Sequence, residues 1–287
     1  MNGVLLVDKE QGWTSSDVVV KLKGILRQRR VGHAGTLDPM ATGLLVVFAG
    51  RATRAVQFAE ADEKRYLASL RLGLVTDTQD IWGTVLSESP VSVTEDALRA
   101  VLPRFTGEIE QIPPMYSAIK VQGKKLYDLA RKGVEVERKA RRVTIYELEL
   151  LPRDEDGDWG LRVVCSKGTY IRTLCHDLGA ALGCGGCMAA LTRTMAAGFT
   201  LDEAVSIDDA QEQGGKLLRP VDSLFRQYPA YRIDYAEAER RCRCGNPIRA
   251  FNSKDGMYRV YGQDGTFLAL SRCENGVLTS IKNFFST

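Results

Sequence analysis

A chain of 287 residues, 44% of them hydrophobic, can bury a substantial core and hold either one large domain or a large one with a small one. A net charge of +3, from 39 basic and 36 acidic residues, is too small to mark the whole surface as a polyanion binder. The apolar run at the N-terminus is too short for a signal segment, no stretch reaches membrane-spanning length, and seven cysteines, an odd number, argue against a disulfide framework; a cytoplasmic protein is expected. In chain order, "GVLLVDK" reads as a short strand, and Thr14 or Ser15 then caps a helix with Val18, Leu22, Ile25 and Leu26 at helical spacing. The stretch "GHAGTLDPMATGLL" places one carboxylate, Asp38, in a loop of glycines beside His33, with no partner acid nearby. "LLVVFAG" is a continuous apolar run that suits a buried strand.

"KRYLASLRLG" alternates as a half-exposed strand, with Tyr66, Ala68, Leu70 and Leu72 on one side. "GTVLSESP" gives another short strand, and "TEDALRAVL" a helix with Thr94 as N-cap and acids in its first turn. From Ile112 to Gly133, Pro113, Pro114 and Gly123 interrupt any regular pattern. "RRVTIYELELL" and "WGLRVVCSK" return to strand around the turn "RDEDGD", and "TYIRTLCHDLGAAL" follows as a helix with Thr169 as its expected N-cap and His176 on its surface. Strands outnumber helices without strict alternation, which points to an α+β fold around a mixed sheet. From about Tyr231, the turn pairs Asp264-Gly265 and Asn275-Gly276 predict two hairpins and hence a small β-rich C-terminal domain, with "DSLFRQYPA" as its linker. The boundary is set at 228/229, giving domains 1–228 and 229–287.

Basic residues are concentrated in two places. Lys21, Lys23, Arg27, Arg29 and Arg30 form one group; Lys120, Lys124, Lys125, Arg131, Lys132, Arg138, Lys139, Arg141 and Arg142 form another. Each can neutralise phosphates, or be no more than solvated surface. Cys184 and Cys187 have the spacing of a metal knuckle or redox pair, and Cys242 with Cys244 can add ligands. The second pair has a one-residue gap and the pairs fall in different expected domains, so incidental thiols are expected ahead of structural zinc. The Asp38 loop lacks the Gly-Lys-Ser/Thr ending of a nucleotide loop and the second acid of a glycosidase or aspartic dyad. A lone carboxylate still serves as a covalent nucleophile if a cation keeps it ionised in a dry site, and Arg172, opening a helix after a glycine turn, is an attractive candidate. Read alone, Asp38 fits a turn or Asx-type residue before Pro39 better than a nucleophile.

The string "GHAGTLDPMATGLL" resembles the signature of the TruB family of tRNA pseudouridine synthases. "EKRYLASLRLGLVTDTQDIWG", "KGTYIRTLCHDLG" and "MAALTRTMAAGF" match that family in the same order, as do "GVLLVDKEQGWTSSDVV" and "QIPPMYSAIKVQGKKLYDLARKG". The resemblance covers residues 1 to about 225; the C-terminal part is similar only loosely to the RNA-binding (PUA-like) appendage of bacterial members, with "CRCGNPIRAF" where a Leu-x-x-Gly turn is usual. Cys187 is a departure, since the family more often has His before the Met.

The resemblance implies the pseudouridine synthase fold and isomerisation of uridine 55 in the T-arm of tRNA. Asp38 would be the nucleophile, Tyr66 would pack on the target base near the departing proton, and Arg172 would pair with Asp38. Tyr170 would fix the aspartate and line the pocket, His33 would stack where the base leaves its loop, and Leu191 would close the apolar wall. The reaction breaks an N-glycosidic bond and reattaches the base through carbon, so water must be excluded and the base must be extruded. It calls for no cofactor and no metal. The basic groups would hold RNA phosphates, with the Lys120–Arg142 segment ordering on RNA. The expected partner is tRNA, with no membrane and no obligate protein partner, and a monomer is expected. The alternative is a non-catalytic tRNA-binding protein or RNA chaperone using the same basic surfaces.

Overall fold

Two β-sheets, each with helices against it, organise the chain. The computed structural model describes residues 1–60, 63–117, 119–121, 123–130, 132–134, 136–250 and 253–285, with only the backbone described at 120, 121, 124 and 125. Arg131 of the second basic group and Phe251 at the end of "CRCGNPIRAF" lie outside the described residues, as do the side chains of Lys120, Lys124 and Lys125.

Strand β1 (Gly3–Lys9) is followed by helix α1 (Ser15–Ile25), which begins at a capping box: Asp17 N donates to the Thr14 hydroxyl, and the Asp17 carboxylate accepts from Thr14 N. β2 (Val31–Ala34) leads into the loop 35–41 and then β3 (Thr42–Ala49). α2 (Val56–Glu60) precedes β4 (Lys64–Leu72), which buries Tyr66, Ala68 and Leu70 and exposes Arg65 and Leu67, the alternation its sequence predicts. β5 (Leu74–Thr76) and β6 (Val85–Glu88) form a separate hairpin. α3 (Glu95–Val101) is capped by Thr94, and β7 (Gly107–Gln111) returns to the main sheet. β8 (Lys120–Val121), β9 (Lys124–Lys125) and α4 (Leu126–Ala130) occupy the irregular middle. β10 (Arg141–Arg153), β11 (Trp159–Cys165), α5 (Ile171–Ala181), β12 (Gly186–Ala196), β13 (Phe199–Thr200) and α6 (Ile207–Gln213) follow. The C-terminal part holds β14 (Ala230–Arg232), α7 (Ala236–Arg243), β15 (Ile248–Arg249), β16 (Gly256–Tyr261), β17 (Phe267–Glu274) and β18 (Val277–Asn283).

The main sheet runs β1-β3-β12-β4-β11-β10-β7, with β2 added on β3 and β13 on β12. Every pairing in it is antiparallel except β12 with β3. The architecture is therefore α+β around a mixed, mainly antiparallel sheet, as the sequence predicts. The parallel contact is short, pairing Thr192 with Thr42 and Arg193 with Gly43. It depends on glycine: a Cβ at Gly43 would stand 2.5 Å from the Arg193 carbonyl oxygen, and the residue's φ is +95°. This seam brings the start of β3, just after the Asp38 loop, against β12. Across the sheet, α5 buries Ile171, Leu174, Cys175 and Leu178, the i, i+3, i+4, i+7 stripe, against Leu70, Leu161 and Met188. Each of the larger apolar side chains so buried contributes roughly 1.5–3 kcal/mol, which seats the first turn of α5 firmly over the loop.

The second sheet runs β14-β16-β17-β18-β15. The segment expected as a linker is instead a buried seam between the two sheets. Leu224 and Phe225 are buried, and the Phe225 ring lies 5.4 Å from Phe58, 6.1 Å from Phe267 and 5.8 Å from Phe284. Two large apolar side chains in five residues favour burial over a solvated tether. Three local expectations also change. His33 belongs to strand β2, paired with Val47, not to the loop. The N-cap of α5 is Tyr170, because the Thr169 hydroxyl turns back to donate to the Ser166 carbonyl at 3.0 Å. His176 is half-buried, with Nδ1 enclosed and without a hydrogen-bond partner. Among the described residues, no helix is long and apolar enough to cross a membrane.

Candidate active site

The loop 35–41 is held by its backbone. Ser15, the first residue of α1, accepts from Leu37 N at 2.8 Å and donates to Leu37 O at 3.0 Å. Gly12 N donates to Pro39 O at 2.8 Å, and Ala41 N donates to Asp38 O at 3.0 Å, closing a turn around the aspartate. Beneath the loop the fully buried Lys9 ammonium donates to Trp13 O at 2.7 Å, Glu10 O at 2.9 Å and Pro39 O at 3.5 Å. Such contacts leave the loop's carbonyls satisfied without water, which a dry site needs.

Asp38 then meets a cation from far along the chain. Arg172 Nε lies 2.9 Å from Asp38 Oδ2; the guanidinium is 5% exposed, while the carboxylate, 36% exposed, reaches the cleft. Nη1 donates to Thr78 O and Nη2 to Tyr116 O, both at 2.9 Å, so three segments fix the orientation of one fork. A cation in the first turn of a helix opposes the helix dipole, and two acids compensate: Asp38, and the buried Asp80, whose Oδ2 lies 3.8 Å from Nη1. Burial pushes the Asp80 carboxyl up, opposed by the Thr78 hydroxyl and by Arg172. The backbone at Tyr170, just before Arg172, is clamped in both directions by the Gln111 amide: Tyr170 N donates to Oε1 at 3.0 Å and Nε2 donates to Tyr170 O at 3.1 Å.

Tyr66, Leu191, Leu37 and Met40 share one apolar cluster beside the loop. Burial pushes the Tyr66 hydroxyl up, against the pull of the Arg193 guanidinium, and pushes Tyr170 up against the neighbouring Ser117 hydroxyl; the Asp38 carboxylate adds to both. Burial, with Arg193 next in size, draws His33 below the usual histidine range, so its imidazole is neutral near pH 7. The structure thus joins Asp38 to Arg172 directly, sets Tyr66 and Leu191 in the adjoining apolar wall, and brings Tyr170 within electrostatic reach of Asp38. His33 stands apart, on β2 near Arg193. Sequence reasoning missed Lys9, Ser15, Asp80, Gln111 and Arg193, all of which act on backbone or on another side chain; each lies inside one of the family-like segments, but nothing in those segments singles it out. Cys184, Cys187 and Cys242 are buried free thiols, Cys244 is exposed, and among the described residues no group of three or more His, Cys, Asp or Glu side chains is placed to hold a metal ion.

Lys9 gives a pH test of the scaffold. Burial pulls its ammonium down to about 8 from 10.5, so between those values the folded state binds fewer protons than the unfolded one. The desolvation penalty is complete below about pH 8 and fades as pH rises toward 10.5. Denaturant melts of the wild type and of Lys9→Met should show the wild type gaining stability relative to the variant across this window. A pH-independent difference would remove Lys9 as the titrating group.

A family model described as TruB family pseudouridylate synthase (N terminal domain) matches residues 23–171, and one described as tRNA pseudouridylate synthase B C-terminal domain matches 172–226. The chain is similar to a tRNA pseudouridine synthase B of Ralstonia pickettii (strain 12J), 47% identical over 271 residues that cover 91% of this chain and 85% of that protein. It is 45% identical over 291 residues to a protein of the same name from Aromatoleum aromaticum, covering 100% of this chain and 94% of that one. Among solved structures, a Cbf5-Nop10-Gar1 complex contains a chain that superposes with a TM-score of 0.73 at 26% identity, over 99% of this chain and 85% of that chain.

Proposed function

The chain belongs to the TruB family of pseudouridylate synthases, isomerases that act on tRNA, and we propose that it converts uridine 55 of the T-arm, with Asp38 as the nucleophile. The observation that carries this reading is the 2.9 Å ion pair between Asp38 and the enclosed Arg172, beside the wall formed by Tyr66 and Leu191. In the isomerisation the N1–C1′ bond breaks, the C5–C1′ bond forms, C5 loses its proton and N1 gains one, so atoms and electrons balance without an oxidant or reductant. The protein must therefore supply a nucleophile, hold the detached base while it turns, and exclude water.

Each task has a residue. Arg172 aims Asp38 at the edge of an apolar cleft, setting a guanidinium 2.9 Å from its carboxylate. Tyr66 offers a ring for the flipped base, worth about 1–3 kcal/mol of stacking. Leu191 closes the wall, Tyr170 lines the mouth, and the neutral His33 stacks where the base leaves the RNA loop.

The decisive experiment incubates the protein with unmodified tRNA and maps pseudouridine at single-nucleotide resolution. Product at position 55 alone is the expected result; product elsewhere would overturn the assigned position, and tRNA binding with no product would return the chain to a binding role. Arg27, Arg29 and Arg30 are exposed, as are Lys21 and Lys23, and none has a carboxylate partner among the described residues. Phosphate contacts should therefore dominate affinity, and tRNA binding should weaken by at least about tenfold between 50 and 200 mM salt. The paired change Arg29→Gln, Arg30→Gln should flatten the log–log salt slope by roughly one per lost phosphate contact; an unchanged slope in filter-binding titrations would take this surface out of the RNA footprint.

A further inference from the structure

Among the described residues four buried side-chain nitrogens or oxygens lack a hydrogen-bond partner: His33 Nδ1, Ser117 Oγ, His176 Nδ1 and Arg193 Nη1. Ser117 neighbours the Asp38 cleft through Tyr170 and Tyr116, and His33 lies near Arg193. The Arg193 donor is the most demanding. Its side chain is 0% exposed, no carboxylate lies within ion-pair distance of it among the described residues, and a buried guanidinium is strongly destabilising unless its donors find acceptors.

Two of its directions are filled in an informative way. Nε donates to Leu44 O at 2.8 Å and Nη2 to Gly35 O at 3.1 Å, so one guanidinium ties the two ends of the segment that carries Asp38. Gly35, at φ +74°, leaves room for it, since a Cβ there would stand 3.3 Å from Nη1. The third direction faces Tyr66, the register partner of Arg193 across β4 and β12. The cation sits close enough to the Tyr66 hydroxyl to oppose the effect of burial on it. Arginine only donates, whereas a phenol oxygen both accepts and donates. A phenol that accepts from Arg193 must turn its own O–H away from the guanidinium.

We propose that Arg193 is a positioning residue for the isomerisation: its Nη1 donates to the Tyr66 hydroxyl oxygen and directs the phenol O–H into the cleft, while Nε and Nη2 hold both ends of the Asp38 loop. The same side chain then fixes the spacing between the nucleophile's loop and the aromatic ring that faces the target base. This rests on the reading of Tyr66 as a group that acts on that base. Lysine is no substitute, because one ammonium cannot serve three acceptors that diverge in a planar fork.

The test is a double-mutant cycle on pseudouridine formation under single-turnover conditions, with tRNA affinity and thermal melting measured alongside, for wild type, Tyr66→Phe, Arg193→Lys and the double variant. Arg193→Lys is expected to slow the reaction by about tenfold or more with tRNA affinity changed less than about threefold, and most of that loss should vanish in the Tyr66→Phe background. Equal losses in both backgrounds would overturn the proposal and leave Arg193 as loop scaffold only. A fully active Tyr66→Phe would overturn the underlying reading of Tyr66, a separate and distinguishable outcome. Should Arg193→Lys not fold, NMR of the Arg193 guanidinium protons in wild type and Tyr66→Phe decides: a shifted Nη–H resonance supports the contact, and an unmoved one overturns it.

Discussion

Asp38→Asn should reduce pseudouridine formation by at least about four orders of magnitude while leaving tRNA affinity within about threefold of wild type. The asymmetry follows from what the substitution keeps. An asparagine fits the same volume, its carbonyl oxygen can still accept from Arg172 Nε at the 2.9 Å position, and the turn closed by Ala41 N uses only backbone. The loop, pinned through Leu37 and Pro39 to α1 and to the chain after β1, has no reason to move. What disappears is a charged oxygen able to attack, which an amide cannot replace. Affinity resides mainly in phosphate contacts away from this cleft, so it survives. Single-turnover assays on tRNA with a tritium label at uridine C5, paired with filter binding, measure both quantities. A variant that turns over normally would remove Asp38 from the chemistry, and one that loses binding in parallel would make it a docking residue.

The elements were legible where one physical signal dominated. The apolar run of β3 follows from burial on both faces and the alternation of β4 from burial on one, and both strands and the helix α5 form where expected. The capping box at Thr14 and Asp17 is likewise local chemistry. The pair of Asp38 with Arg172 is different: nothing in either segment demands the other, so Arg172 stands as one attractive cation among several until the joint resemblance of several motifs singles it out. The scaffold was less legible still. Lys9, Gln111 and Arg193 act by reaching main-chain groups that any residue could supply, so their partners leave no sequence pattern. Phe225 was misread for the converse reason, because "DSLFRQYPA" carries turn formers whose signal hid two side chains that the second sheet buries. His33 joined β2 because its neighbours pair with the C-terminal half of β3, a long-range match that the glycines around it obscured.

Arg172→Ala should be the most damaging change to the site as a whole, lowering both activity and stability. The guanidinium satisfies two backbone carbonyls from Thr78 and Tyr116, and it stands against the buried Asp80 as well as against Asp38. Removing it leaves those carbonyls without their donor and Asp80 buried without its cation, which should cost about 2–4 kcal/mol, with the Asp38 share discounted because that carboxylate is over a third exposed. Asp80, already pushed up by burial, should then rise further, since Arg172 is one of the groups that hold it down. The activity loss, about two to four orders of magnitude, comes from a nucleophile that is no longer aimed or paired with a cation. Arg172→Lys sharpens the test. It restores one positive charge but cannot reach Asp38, Thr78 O and Tyr116 O together, so it should recover part of the stability and little of the rate. Urea melts and single-turnover rates on the three proteins separate these effects. If the lysine variant regained full activity, charge alone would explain Arg172, and the forked geometry that ties Asp38 to the Thr78 and Tyr116 segments would have no part in catalysis.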